Sequence, residues 1–324
     1  MADEMEFLVK KTLEQGAGLK TNFTKTVHRT SYPSIDPTRP ELSQAGRTVL
    51  ITGGGTGIGL SIGKSFALAG AKRVIIVGRR ANVLADAARA IESVAKQAGK
   101  ETEVIHQTLD VTDKAGIAAL WSGLKDKGIV VDVLVLNAAK FSPLKPLLDL
   151  GSDEVWSMFE ANVYGPLMLS EAFVKQGGDD QKVIINVASQ AIHIFEESIL
   201  VLASKVAAYG LTKNSGALLV QQIAAQSDPE KLQVINYHPG VVYAGGWEEA
   251  GVPDTLLPFD DVSLAGSEAV WLASPEARFL HGRFVWASWD VDELKSDEIR
   301  KTIAEDVEFL KIGVHGLKGF DRRR

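Results

Sequence analysis

The chain has 324 residues, 45% hydrophobic and 23% charged, with a formal net charge of −6. That length supports a substantial core in one large α/β domain or two smaller ones, and the acidic balance gives no electrostatic reason to expect nucleic acid as a partner. Cysteine is absent, which excludes disulfides, thiolate nucleophiles and cysteine metal sites, and the six histidines are scattered without a pair at metal-ligand spacing.

The first eleven residues are acidic and carry no long apolar core, so no secretory signal is expected. No uninterrupted apolar run reaches membrane-spanning length, and a soluble, cytoplasmic protein with neither a metal nor a membrane partner is the expectation. Residues 1–46 read as an arm. A short helix is expected near 4–14, and the proline-rich segment 32–40 cannot be a long helix. Such an arm packs on its own body or on a neighbouring subunit. From Arg47 the pattern becomes regular. Strands are expected at 49–52, 74–77, 102–109, 131–136, 182–187, 232–237 and 283–287. Helices are expected from about Thr56, then at 81–98, 112–127, 152–174, 203–226 and 263–273. This alternation predicts one doubly wound parallel sheet with helices on both faces. The body is expected over 47–290, with a substrate lid at 243–260 and a C-terminal extension at 291–324. Trp271, Trp286 and Trp289 are expected to fill the core, and Arg322, Arg323 and Arg324 to form a solvated tail.

The stretch from Arg47 to Gly63, RTVLITGGGTGIGLSIG, organises the chain. The apolar run Val49-Leu50-Ile51 breaks into glycines at 53, 54, 55, 57 and 59 and then continues as a helix. A strand, glycine turn and helix bring free amide N–H groups and the positive end of a helix dipole up to a phosphate. Ligands of such sheets bind beyond the carboxyl ends of the strands. The polar groups of this chain collect there: the glycine turn, Gly78-Arg79, Asp110-Val111, Asn137-Ala138-Ala139, Ser189 and His238-Pro239-Gly240.

The ordered set Thr52-Gly53-(x3)-Gly57-x-Gly59, Asp110, Asn137-Ala138-Ala139, Asn162, Ser189, Tyr209-(x3)-Lys213 and Pro239-Gly240 resembles the short-chain dehydrogenase/reductase family over about residues 47 to 290. The arm with His28 and 32–35, together with residues 278–286, is similar to fungal members, many of which serve secondary metabolism. The resemblance implies a single Rossmann-type sheet of about seven strands, and hydride transfer between a nicotinamide cofactor and a carbonyl or alcohol of a small organic substrate. It implies Tyr209 as general acid/base, Lys213 favouring its phenolate, Ser189 holding the substrate oxygen, and Asn162 anchoring a water in a proton relay. A free tyrosine titrates near 10, too high for easy proton shuttling at neutrality, and Lys213 lies one helical turn on. Implied cofactor contacts are Thr52, Gly53, Gly55, Thr56, Gly57, Ile58, Gly59, Asp110, Val111, Asn137, Ala138, Ala139, Tyr209, Lys213, Pro239, Gly240, Val241 and Val242. A homodimer or homotetramer is implied, paired through the helices carrying Asn162 and Tyr209.

Ala203-Ser204-Lys205 imitates a family triplet, but four positions before Lys205 stands Val201, which has no proton to give. The spacing from Ser189 to Tyr209 is longer than usual for the family, and the excess within 190–202 is expected to form a loop at the pocket rim, where His193 lies. Ser198 or Ser204 remains an alternative to Ser189. At the position after Pro-Gly where the family often carries threonine stands Ala244, leaving the Val241 and Val242 N–H groups for the nicotinamide carboxamide. The second strand ends in Gly78-Arg79-Arg80 and lacks the acid that selects NAD, so NADP is expected over NAD, the guanidinium groups suiting a 2′-phosphate. Thr56 says nothing on this choice. In the lid, Trp247, Leu256, Leu257 and Phe259 point to an apolar, aromatic or polyketide-like substrate. The alternatives are a cofactor-binding scaffold without turnover and an isomerase or dehydratase of the same fold.

Overall fold

The computed structural model describes residues 22–143, 145–178, 180–193, 206–244, 247, 253–255 and 258–314. The helix expected near 4–14 and the tail at 322–324 lie outside them. Seven strands, β1 Thr48–Thr52, β2 Arg73–Gly78, β3 Glu103–Thr108, β4 Val133–Leu136, β5 Lys182–Val187, β6 Leu232–His238 and β7 Phe284–Trp286, form one sheet in the order β3-β2-β1-β4-β5-β6-β7. Every pairing is parallel, and Leu50 in β1 faces Ile75 on one side and Leu134 on the other. β1 and β4 are buried along their whole length because helices cover both faces, so their sequences are apolar runs without alternation. The edge strand β3 is polar and mostly exposed, which discourages pairing with another sheet.

Among the described residues the helices of eight residues or more are α1 Gly57–Leu68, α2 Ala81–Gln97, α3 Lys114–Asp126, α4 Ser152–Phe159, α5 Gly165–Lys175, α6 Ala207–Ala225, α7 Val262–Leu272 and α8 Asp297–Glu305. Ile62 and Phe66 of α1, Leu84 and Ile91 of α2 and Leu264 of α7 fill one face of the sheet. Ile117 and Leu120 of α3, Phe173 of α5 and Val220 of α6 fill the other. The helix expected without interruption over 152–174 is divided. Between α4 and α5 the Gly165 N–H bonds the Glu160 carbonyl, one residue further back than in an α-helix. Such wide turns recur at functional positions, and this one holds Asn162.

From residue 22 onward the arm lies on its own body. Pro33 and Pro40 each open a single turn, Pro33–Ile35 and Pro40–Leu42, and Ile35 and Leu42 are fully buried in the core. Each such burial stabilises by about 1.5–3 kcal/mol. The arm also interlocks with the chain after β7. The Lys25 and Thr26 N–H groups donate to Glu293, His28 stacks on Tyr32 and bonds Asp290, and the Tyr32 hydroxyl donates to the Trp289 carbonyl while accepting from the Val291 N–H. Trp271, Trp286 and Trp289 are buried, as are Val291, Leu294 and Ile303 beyond them. Among the described residues no helix is long and apolar enough to cross a membrane.

Candidate active site

β1 pairs with both β2 and β4, so the crossovers run outward in opposite directions from β1 and β4, leaving a crevice at their carboxyl ends. The glycine turn sits there. Gly53 and Gly57 have φ of +67° and +51°, a region that side chains disfavour. A Cβ on Gly59 would fall 2.2 Å from the Gly53 carbonyl oxygen, so the turn closes only with hydrogen at that position. Gly59→Ala is expected to destabilise the fold by at least ~3 kcal/mol, as severe backbone conflicts do; a melting temperature within error of wild type would contradict this.

Thr52 and Asn137 tie the ends of β1 and β4. The Thr52 hydroxyl donates to the Val135 carbonyl and accepts from the Asn137 and Ala138 N–H groups, at 2.9 and 3.0 Å. Asn137 Nδ2 donates back to the Thr52 and Gly53 carbonyls. Thr56 precedes α1 without a side-chain cap, so no side chain of the cap residue occupies the first-turn amides. Together with the positive-φ glycines, that N-terminus fits a dinucleotide pyrophosphate. Arg79 and Arg80 lie exposed just beyond β2. Asp110, after β3, is held below the usual carboxylate range by the Thr112 N–H, by the Thr112 hydroxyl and by the charge of Arg79. Arg79 and Asp110 thus lie near each other beyond the carboxyl ends of β2 and β3.

β5 runs into Ser189, and α6 presents Tyr209 and Lys213 one turn apart. The Ser189 hydroxyl is hydrogen-bonded to the Tyr209 phenol. Burial pushes that phenol up to about 12, and the Ser189 bond works against the shift. Lys213 is 5% exposed and donates from Nζ to the Val187 carbonyl at 2.6 Å, anchoring α6 to the strand that carries Ser189. Burial pulls its ammonium down to about 8. Asn162 is also buried. Its Oδ1 accepts from the Lys140 N–H at 2.8 Å, and Nδ2 donates to the Lys140 carbonyl and the Thr212 hydroxyl, each at 2.9 Å. That side chain pins the wide turn to α6 and to the segment after β4. A Cβ on Gly216 would fall 2.6 Å from the Asn162 carbonyl, so this glycine sets how closely α6 approaches.

One implied contact is altered. The Val241 N–H, expected to hold a carboxamide, donates to Asp260 Oδ2 at 2.7 Å. The sequence reading missed Asp260 because only the return of the chain at 258–260 brings it beside Pro239-Gly240. Phe141 was missed as well. Its ring centroid lies 4.5 Å from that of Tyr209 and 6.4 Å from that of Trp247. Phe259 continues the series, 5.8 Å from Trp247 and 5.1 Å from Tyr243. The position of Phe141 soon after Asn137-Ala138-Ala139, at a strand's carboxyl end, was the available signal. Ser198, Ser204, Lys205, Leu256, Leu257 and the His193 side chain lie outside the described residues.

A parallel sheet with a glycine turn at its switch point defines a dinucleotide-binding α/β protein. The short chain dehydrogenase profile matches residues 47–251. The chain is 33% identical over 291 residues to the short chain dehydrogenase/reductase AacuD of Aspergillus aculeatus, covering 90% of this chain and 96% of that protein. It is 34% identical to a short chain dehydrogenase/reductase of Claviceps purpurea, covering 90% and 94%. Among solved structures, a short chain dehydrogenase of Salmonella enterica serovar Typhi superposes with a TM-score of 0.67 at 19% identity, over 79% of this chain and 99% of that one, a likeness of fold. This chain belongs to the short-chain dehydrogenase/reductase family of oxidoreductases, whose members bind a nicotinamide cofactor.

Proposed function

We infer that the protein interconverts a carbonyl and an alcohol on a small, apolar, aromatic-bearing molecule, using NADP(H). The observation that carries this reading is the Tyr209 phenol hydrogen-bonded to Ser189 beyond the end of β5, with the buried Lys213 one turn on. A bound nicotinamide supplies or accepts the hydride. In reduction, Ser189 and Tyr209 hold the substrate oxygen, and the Tyr209 O–H gives it a proton as negative charge develops there. The Lys213 ammonium, fixed by the Val187 carbonyl, favours the resulting phenolate electrostatically. The Asn162 side chain holds the wide turn against α6, and its backbone carbonyl faces Gly216; a water of the relay is assigned to Asn162 by its likeness to the family. The rings of Phe141, Trp247, Phe259 and Tyr243 support an aromatic substrate, since they offer faces and edges beside the proton donor.

The test is turnover by the purified protein of a ketone panel with NADPH, and of the matching alcohols with NADP+. Cofactor binding without turnover anywhere in the panel would favour the scaffold reading instead. NADP preference rests on Arg79 and Arg80. A charge-assisted bond to the 2′-phosphate is worth about 1.5–3 kcal/mol, so Arg79→Ala should weaken NADPH by about 10- to 150-fold and NADH far less. Equal losses for both cofactors would refute the assignment. Exposed Tyr164, Leu167 and Val174 near and on α5, with Leu211 and Leu218 on α6, support association through these two helices into a homodimer or homotetramer.

A further inference from the structure

The N-terminal arm reaches the crevice through one side chain. Arg29, half exposed, donates from Nε to Asp260 Oδ1 at 3.0 Å and from its terminal nitrogen to the Phe259 carbonyl at 2.9 Å and to the Pro258 carbonyl. Its own carbonyl accepts the Asp261 N–H at 2.8 Å. The Asp260 side chain is 12% exposed, and its second oxygen, Oδ2, accepts the Val241 N–H at 2.7 Å. The Asp260 N–H returns a bond to the Val241 carbonyl, also at 2.7 Å. One carboxylate therefore spans the arm and the turn that follows β6. That turn is tight: Gly240 has φ of +96°, and a Cβ there would fall 3.0 Å from Asp260 Oδ2. It also abuts the dinucleotide turn, because a Cβ on Gly57 would meet that of Ala244 at 3.3 Å.

Resting on the functional reading above, we propose that Arg29 and Asp260 are positioning residues for the nicotinamide end of the cofactor, so that the arm is a working part of the site. The guanidinium occupies Oδ1 and keeps the carboxylate turned so that Oδ2 meets the Val241 N–H. Without Arg29 the carboxylate is free to rotate toward water, and the Gly240–Val242 turn loses its side-chain hold. Fastening the arm does not explain the arrangement, since Tyr32, Ile35 and Leu42 already bury the arm in the core and Arg29 adds little to that. The bonds of Arg29 are instead directed at Asp260 and Phe259, beside the turn that follows β6.

Binding titrations separate the two ends of the cofactor. The ligands are the more tightly bound nicotinamide dinucleotide and its ADP-ribose fragment (with the 2′-phosphate for NADP), which lacks nicotinamide. Arg29→Ala and Asp260→Asn are each expected to weaken the dinucleotide about tenfold and the fragment less than about twofold. Arg29→Lys recovers part of the loss, and the double variant binds no more weakly than Asp260→Asn alone, as coupled partners do. Equal weakening of dinucleotide and fragment, or no weakening of either, overturns the proposal while leaving the functional reading intact. A wild-type protein that binds no dinucleotide overturns both. Should Asp260→Asn fail to fold, the contrast between Arg29→Ala and Arg29→Lys decides the matter, because Arg29 is half exposed.

Discussion

Tyr209→Phe is expected to lower kcat by about 10²- to 10⁴-fold, the usual contribution of a positioned proton donor, while cofactor affinity stays within about threefold. The variant keeps the ring and its 4.5 Å packing on Phe141 and removes only the hydroxyl bonded to Ser189. Loss of that bond costs about 1 kcal/mol of stability, too little to unfold a domain of this size. The fall in rate therefore reports chemistry. A phenol pushed up to about 12 by burial is a poor acid at neutrality, so the proposed step depends on positive charge close to its oxygen as the proton leaves. Single-turnover oxidation of NADPH with a saturating ketone measures the step directly. A rate within about threefold of wild type would remove Tyr209 from the mechanism.

Lys213→Met is expected to lower turnover at least about 10²-fold and, in the same protein, to raise the melting temperature at pH 7 by about 2–4 °C. The two effects have one cause. Among the described residues the buried Lys213 ammonium has no carboxylate partner, and burial pulls it from 10.5 to about 8. The unfolded chain keeps this proton up to its ordinary value, whereas the folded chain releases it above about 8. Between those limits the unfolded state binds more protons, so stability rises with pH. Below about pH 8 the full penalty applies, on the order of 3 kcal/mol. Methionine removes the penalty but also the bond to the Val187 carbonyl, leaving a net gain of about 1–2 kcal/mol. Thermal melts at pH 7 and pH 9.5 check the sign: the advantage of the variant should shrink at the higher pH. Equal melting curves at both would show that the ammonium is not held at a cost, and the charge assigned to it in catalysis would lose its support. The fold carries a destabilised cation where a developing phenolate can use it, a trade seen when function opposes stability.

Much of this was legible in the chain because parallel sheets buried on both faces are written as apolar runs. Val49-Leu50-Ile51, Val74-Ile75-Ile76-Val77 and Val183-Ile184-Ile185 had few other places to go, and their strands differ from expectation by at most one residue at either end. The glycine turn was legible for a local reason, since positive φ and closure onto the Gly53 carbonyl are demands that neighbouring residues impose. Tyr209 and Lys213 were legible as a pair because a helix places positions four apart on one face. That Ser189 meets Tyr209 needed the fold, for the intervening segment is long and no local rule carries one residue to the other.

The sequence by itself determined the strand and helix order, the turn with its glycines, and the list of polar residues at strand ends, because each depends on periodicity or on backbone sterics within a few residues. Only the tertiary structure decided what those residues touch. It spent the Val241 N–H on Asp260 and linked that carboxylate to Arg29, more than two hundred positions earlier. It used the Asn162 side chain to brace a wide turn and set Phe141 on Tyr209. It buried Glu268 of α7 completely, where desolvation pushes its carboxyl well above the usual range. These are contacts between distant segments. They follow from how helices pack on a sheet and where chain ends return to it, and no pattern confined to one segment encodes them.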